Sequence, residues 1–201
     1  MCQDTDKFLE LLKPQYSDAL KYCKALCSRT SIDDAEDVLQ QSLLKGYENF
    51  RKLNDVTKFR SWFFKIITRE FYDSVRKNFW KKFIPLDNYP GIHQIPEVFD
   101  RNETDEDKIL LNKALSVLSK KERAAILLFE IGEFSIEEIK DIQNEKSSSA
   151  IKSRLSRSRT KMKEFIENYE TSNHKQSLKS SVILGDIKNE TNRLIAEIER
   201  K

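Results

Sequence analysis

An all-α protein is what this sequence predicts: two small helical domains joined by a flexible linker, the second containing a helix-turn-helix, plus a short C-terminal helical extension. Three observations predict it. Only four Gly and four Pro occur among 201 residues, and abundant Leu, Ile, Lys and Glu favour helix over sheet. Apolar residues recur at helical spacing in one block after another, with no alternating strand block and no internal repeat. Pro85, Pro90, Gly91 and Pro96 crowd into one acidic window without a period, which divides the chain in two.

The first helix is expected from Lys7 to Cys27, with Phe8, Leu11, Leu12, Tyr16, Leu20, Cys23 and Leu26 on one side. Pro14 kinks or restarts it. Ser31 and the acids Asp34, Glu36 and Asp37 suit a helix start. That helix runs to about Phe50 on an apolar stripe of Ala35, Val38, Leu39, Leu43 and Tyr47. Thr57 opens a long helix to about Phe79, with Phe59, Phe63, Ile66, Ile67, Phe71 and Val75 as its core stripe. Helices resume over 105–116 and 120–131, followed by a capped pair. The expected division is a first domain over 7–83, a linker over 84–104, a second domain over 105–168 and an extension over 169–201. After Tyr169 a polar run reads as another linker, and Val182 to Ile198 as one more amphipathic helix. A tail packed on the domain and a regulatory contact are both open readings for it.

The formal net charge is only +3, so its distribution is the informative part. Stretches 69–82 and 152–163 are basic and 97–107 is acidic, which marks local anion-binding faces. Cys2, Cys23 and Cys27 are an odd count in a chain without a signal peptide, pointing to a reducing cytoplasm. Cys23 and Cys27 share a helix face, but no nearby His or Cys completes a metal site, so buried thiols are expected. No apolar run approaches the ~20 residues of a membrane span. The two His are isolated, and no Gly-rich phosphate loop or nucleophile arrangement is present, so no enzyme, no metal and no cofactor is expected.

Residues 135–163 carry the strongest signal. Ser135 with Glu138 forms a capping box, and Gly132 marks the end of the preceding helix. After a polar turn, Ser147, Ser148 or Ser149 caps a second helix bearing Lys152, Arg154, Arg157, Arg159, Lys161 and Lys163. With Ala150, Ile151 and Leu155 inward, Ser148, Ser149, Lys152, Ser153, Ser156 and Arg157 face a DNA major groove. Arg154 and Arg159 flank them at phosphate distance. A second segment, 60–83, has aromatics beyond its core stripe, namely Phe64, Tyr72, Phe79, Trp80 and Phe83. They are interleaved with Lys65, Arg69, Arg76, Lys77, Lys81 and Lys82. Aromatics among cations stack unpaired bases while neutralising the backbone. Packing between helices is the competing reading for Trp62, Phe64 and Tyr72.

Together these blocks resemble bacterial extracytoplasmic-function (ECF) sigma factors. Asp34-Ala35-Glu36-Asp37-Val38-Leu39-Gln40-Gln41, Phe59-Arg60-Ser61-Trp62-Phe63, Asp73 and Arg76 look like their N-terminal block. Leu118-Ser119, Phe134 to Ile139 and Ile151 to Arg157 look like their C-terminal block. The resemblance implies that Asp34, Asp37, Gln40 and Gln41 dock on the β′ clamp of core RNA polymerase. It implies that Lys65, Arg69, Tyr72, Arg76, Lys77 and Trp80 recognise and melt the −10 element of promoter DNA. Ser148, Ser149, Lys152, Ser153, Arg154, Ser156 and Arg157 would read the −35 element, with flanking parts on the β flap. An anti-sigma factor is a further candidate partner. The chain departs from the family at Ile67-Thr68-Arg69, so its −10 preference does not transfer, and at Asn144-Glu145-Lys146-Ser147, where Asn144 keeps the turn by going left-handed. Two rival readings are a conventional helix-turn-helix regulator, which leaves the N-terminal block unused, and a sigma mimic, which would have lost its basic faces.

Overall fold

The computed structural model describes residues 2–28, 32–81 and 106–173. The expected linker over 84–104, the C-terminal helix beyond 173, both His and the side chains of Phe79 and Trp80 lie outside the described residues. Every regular element among the described residues is helical.

Helix α1 (Cys2–Leu12) meets Pro14 and passes through a 3-10 turn, Lys13–Gln15, into α2 (Tyr16–Leu26). The proline thus restarts the helix, because its ring leaves no amide to continue the ladder. Helix α3 (Ile32–Asn49) and the long α4 (Phe59–Lys81) follow, separated by two short 3-10 turns. Asp55 caps the second of these by accepting from the Thr57 amide at 3.0 Å. The four helices of this half close around a cluster of rings. Phe8 meets Phe50 and Phe59 edge-on at 5.5 and 5.6 Å, and Phe59 stacks on Phe63. Such offset and edge arrangements are what the ring quadrupole favours.

Two stripe assignments shift. Tyr47, expected inside, is exposed, and its hydroxyl pairs with Thr5. Ser42 takes the core face instead, donating to Val38 carbonyl oxygen at 2.6 Å, and Gly46 lets Phe63 and Phe8 approach. On α4, Phe64 and Thr68 are fully buried besides Phe63, Ile67 and Phe71. Thr68 donates to Phe64 carbonyl oxygen and pairs with the buried Tyr22 hydroxyl at 2.9 Å. A helix buried on two sides loses the clean single stripe of a surface helix.

In the second half, α5 (Glu106–Ser116) and α6 (Lys120–Glu130) precede α7 (Ile136–Gln143) and α8 (Ser148–Asn173). Both α6 and α7 open with capping boxes, Ser119 with Glu122 and Ser135 with Glu138. The left-handed residue after α6 is Glu133 at φ 50°, not Gly132. Gly132 is needed for space. A Cβ there would lie 2.5 Å from the Phe134 ring and 2.6 Å from Leu128 carbonyl oxygen. Helix α8 continues four residues past Tyr169, where Phe165 and Tyr169 stack and Lys113 of α5 sits over the Tyr169 ring.

The halves touch. Helix α4 packs on α7 and α2 on α6, so the buried side chains form one continuous core. Phe64 of α4 meets Phe134, just before α7, at 5.1 Å.

Glu122 ties α6 to α8 by accepting from Lys161 at 2.8 and 3.0 Å. Burial pushes its carboxyl up, but the hydrogen bonds from Lys161 and Ser119 outweigh that and hold it at about 2, below its ordinary 4.5. A depressed folded-state value contributes stability above pH 4.5, and that stability is lost as pH falls towards 2. The melting temperature should therefore fall across that window. Glu122→Gln should start lower at neutral pH and show a shallower acid slope.

Candidate nucleic-acid and docking interfaces

Helical spacing sorts the α4 side chains into separate faces. Glu70, Asp73, Ser74 and Lys77 line a cleft against α3, whose walls there are Asp34, Asp37, Val38 and Gln41. Three of the four expected docking residues therefore share one acidic cleft, and Gln40 is exposed outside it. Lys45 closes one end, pairing with Glu70 at 2.6 Å. Lys77, expected among the −10 residues, stands in this cleft instead, because it is rotated one helical step from Arg76.

Lys65, Arg69, Tyr72 and Arg76 fall on the adjoining stripe of α4. Arg69 and Arg76 are exposed, and Arg76 pairs with Asp73 at 3.0 Å. Phe64 belongs to the core, which settles it as a packing residue. Tyr72 is mostly covered. Its hydroxyl is buried with no hydrogen-bond partner among the described residues, and burial, with Arg154 opposing and Glu145 adding, pushes its pKa above the usual phenol range. The ammonium of Lys120 lies 5.6 Å from its ring centre.

The helix-turn-helix is built from local rules. Asn144 ends α7 in the left-handed conformation, φ 54° and ψ 46°, which its short polar side chain tolerates. Ser147 caps α8 by accepting from the Ala150 amide. Ile151, Leu155 and Ser158 are buried, so Ser149, Lys152, Ser153, Ser156 and Arg157 are exposed along one side of α8. Ser148 is half-buried and donates to Glu137 of α7. Hydrogen bonds from Lys140 and Ser148 hold the Glu137 carboxyl below the ordinary carboxylate range.

Arg154 and Arg159 are not on that side. Arg154 donates to Gln143 and, at 2.8 Å, to Glu145, while Gln143 donates to Lys121 carbonyl oxygen and Lys121 pairs with Glu145. Its guanidinium closes the turn between the two helices, where a planar fork suits paired acceptors. Arg159 pairs with Glu130 and covers the Phe129 ring. Each guanidinium is tucked against its own domain in this arrangement.

Other residues matter that the sequence did not single out. Arg123 is buried, donating to carbonyl oxygens of Leu115, Leu118 and Leu26. Arg60 donates to Gly132 carbonyl oxygen at 2.6 Å, to Gln15 at 2.7 Å and to Asp18 at 3.3 Å. Nothing local marks a cation that bonds to distant carbonyls. Cys23 and Cys27 carry buried thiols. Burial, then its neighbour Cys27, pushes the Cys23 thiol above the ordinary range, which makes it unreactive. No cluster of three or more His, Cys, Asp or Glu among the described residues is placed to hold a metal ion. Among them, no helix is long and apolar enough to cross a membrane.

Glu137 stands beside Ser148 in the first turn of α8, the end expected to meet DNA. Glu137→Gln should raise duplex affinity about threefold at low salt, an effect that fades as salt is added. Fluorescence anisotropy across a salt series checks it.

Residues 12–81 match the family model for sigma-70 region 2, and residues 108–162 match the model for sigma-70 region 4. The chain is 29% identical over 126 residues to the RNA polymerase sigma factor SigV of Bacillus subtilis, covering 62% of this chain and 71% of that protein. It is 27% identical over 142 residues to the ECF RNA polymerase sigma factor SigM of Mycobacterium tuberculosis, covering 70% and 68%. Among solved structures, its fold is similar to the sigma factor RpoE of Bartonella quintana, crystallised with the anti-sigma factor NepR. The TM-score is 0.60 at 24% identity, covering 83% of this chain and 98% of that one. CnrH, solved with the cytosolic domain of CnrY, gives a TM-score of 0.60 at 18% identity, covering 82% and 90%.

Proposed function

We infer how this chain works from one premise: it belongs to the extracytoplasmic-function (ECF) sigma factors of the sigma-70 family. It is an alternative sigma factor, a DNA-binding protein that directs transcription initiation by core RNA polymerase. The roles of individual surfaces are our proposal. The acidic α3–α4 cleft, with Asp34, Asp37 and Gln41 and the adjacent Gln40, docks on the β′ clamp. The α4 stripe of Lys65, Arg69, Tyr72 and Arg76 engages the −10 element, with Trp80 further along the same helix. The exposed side of α8, with Ser149, Lys152, Ser153, Ser156 and Arg157, reads the −35 element, and Ser148 joins it once released from Glu137. Arg154 positions the recognition helix and does not touch DNA.

The division into a region-two-like unit over 7–83 and a region-four-like unit over 105–168 underlies these roles. The second unit also meets the β flap. The chain performs no chemistry of its own and acts in the cytoplasm. An anti-sigma factor is a proposed regulator, since the similar RpoE was solved with the anti-sigma factor NepR.

One observation carries the reading: a single chain carries an acidic α3–α4 cleft, a cationic stripe on α4 and a basic exposed side of α8 as separate surfaces. A conventional regulator has no use for the first two, and a sigma mimic has no use for the exposed cations of α8. Transcription in vitro with purified core polymerase on a promoter library tests it. Sequence-specific transcripts that depend on this chain are expected. Tight core binding without any specific transcript would overturn the assignment.

A further inference from the structure

We propose that α5 and the last turns of α8 form an apolar groove that takes up the chain's own C-terminal segment, 183–198, as a docked amphipathic helix. Neither the α3–α4 cleft nor the DNA-facing sides of α4 and α8 take part, so this pairing goes beyond the polymerase reading and does not depend on it.

The groove lies where two helices outrun the core. Along α8 the inward side runs through Ile151, Leu155, Ser158 and Met162, and Met162 is the last of these packed against the continuous core. The helix goes on to Asn173, about 17 Å further at ~1.5 Å per residue. On that stretch Ile166 is still buried and Phe165 stacks on Tyr169. Helix α5 lies against it, with the Lys113 ammonium 5.2 Å from the Tyr169 ring centre. Leu111 marks where the covering stops. It shares a face of α5 with Ala114 and Leu115, one turn on. Those two are buried, while Leu111 is 44% exposed. One turn nearer the start of α5, then, the same face has no layer over it among the described residues. Ile109, Leu110, Phe165 and Tyr169 are half-buried at this level. Apolar stripes on a helix pair are buried by adding a further packed element.

The segment after Asn173 fits the groove in pattern and in reach. Ile183, Leu184, Ile187, Leu194, Ile195 and Ile198 recur at helical spacing on one side. Asp186, Asn189, Asn192, Arg193 and Glu197 fall on the other, as does Gly185, which therefore interrupts no apolar contact. An apolar face of this kind laid between two helices is the helix-in-groove mode of recognition. A helix over 183–198 is about 24 Å long, more than the length by which α8 outruns the core. The stretch from Asn173 to Ile183 reaches up to roughly 33–36 Å when extended. Folding back from Asn173 to Phe165 takes only about 12 Å. Tethering holds the segment at an effective concentration in the millimolar range, against which a second copy or a separate partner must compete.

The test uses the full chain, as wild type and with Ile187→Asp and Leu194→Asp together, and a labelled synthetic peptide of residues 182–201 followed by fluorescence anisotropy. The doubly substituted chain should bind the peptide. Wild type should bind it about tenfold more weakly, the factor expected when the tethered copy fills the groove in about nine molecules of ten. Adding Leu111→Asp to the double variant should abolish binding. Leu111 is already exposed, so this change should leave the helical circular dichroism intact. If helicity is lost, Leu111→Gln takes its place and should weaken peptide binding several-fold. Equal peptide affinity in wild type and double variant would overturn the proposal, as would binding that survives Leu111→Asp, or no binding to either chain. A wild-type dimer in sedimentation velocity that Leu111→Asp dissolves would also overturn it, and would assign the groove to a second copy.

Discussion

Replacing Arg123 by Met is expected to destabilise the folded chain by about 3–5 kcal/mol, since each buried acceptor that loses its donor costs about 1–3 kcal/mol. The Arg123 side chain is 3% exposed as a residue and donates to three carbonyl oxygens, of Leu115 at 3.0 Å, Leu26 at 2.8 Å and Leu118 at 3.3 Å. Leu26 ends α2 and Leu115 lies in the last turn of α5. The cation thus sits at the negative ends of two helices, where a charge-assisted bond is strongest. Met fills most of the volume but takes the cationic donor away from all three carbonyls, and among the described residues only that of Leu115 keeps a backbone donor, the Leu118 amide. At about 2–4 °C per kcal/mol for a chain of this size, the melting temperature should drop by roughly 10 °C. Chemical denaturation followed by far-ultraviolet circular dichroism measures it. A loss under about 1 kcal/mol would mean that the carbonyls find water when Arg123 is removed.

The second large effect concerns DNA. Lys152→Ala with Arg157→Ala should weaken binding to duplex −35 DNA at least about tenfold and flatten its salt dependence by about two units of slope. Both side chains are exposed on the same side of α8, one turn or so apart, so each can reach a phosphate or a base edge. Tyr72→Ala should spare duplex binding. It should reduce promoter opening by roughly tenfold or more, since a stacked base is worth about 1–3 kcal/mol. Anisotropy with duplex DNA and permanganate footprinting of the open complex separate the two readouts. Equal damage to duplex binding by both changes would contradict the division of labour between α8 and α4.

The local devices were legible because they are encoded within a few residues. Pro14 restarts a helix, Ser135 with Glu138 opens one, and Asn144 turns left-handed, each for reasons of backbone sterics or a hydrogen bond three residues away. The exposed side of α8 was legible for the same reason, since burial of Ile151 and Leu155 turns Lys152, Ser153, Ser156 and Arg157 outward. Side chains whose partners lie far along the chain were not legible. Arg154 and Arg159 look like phosphate ligands by charge alone, yet Gln143, Glu145 and Glu130 hold them against the domain. Lys77 reads as one more cation of a basic run, but one helical step carries it into the acidic cleft with Asp34 and Asp37. Tyr47 was misread on a smaller scale, by helical phase, whereas Gly132 closes α6 as its position indicated, with the approach of Phe134 as the further reason for a glycine.

By itself, then, the sequence determined the helical class, the capped helix pair of the second half and the family the chain belongs to. Those follow from periodicity, capping and motif order, which are short-range properties. The tertiary structure alone decided how the halves meet. Arg60 reaches Gly132 across 72 positions and Arg123 reaches Leu26 across 97. Phe64 finds Phe134, and Tyr72 is covered in consequence. No local pattern encodes such pairings, because a buried cation or ring is satisfied by whichever carbonyl or ring the folded chain brings to it.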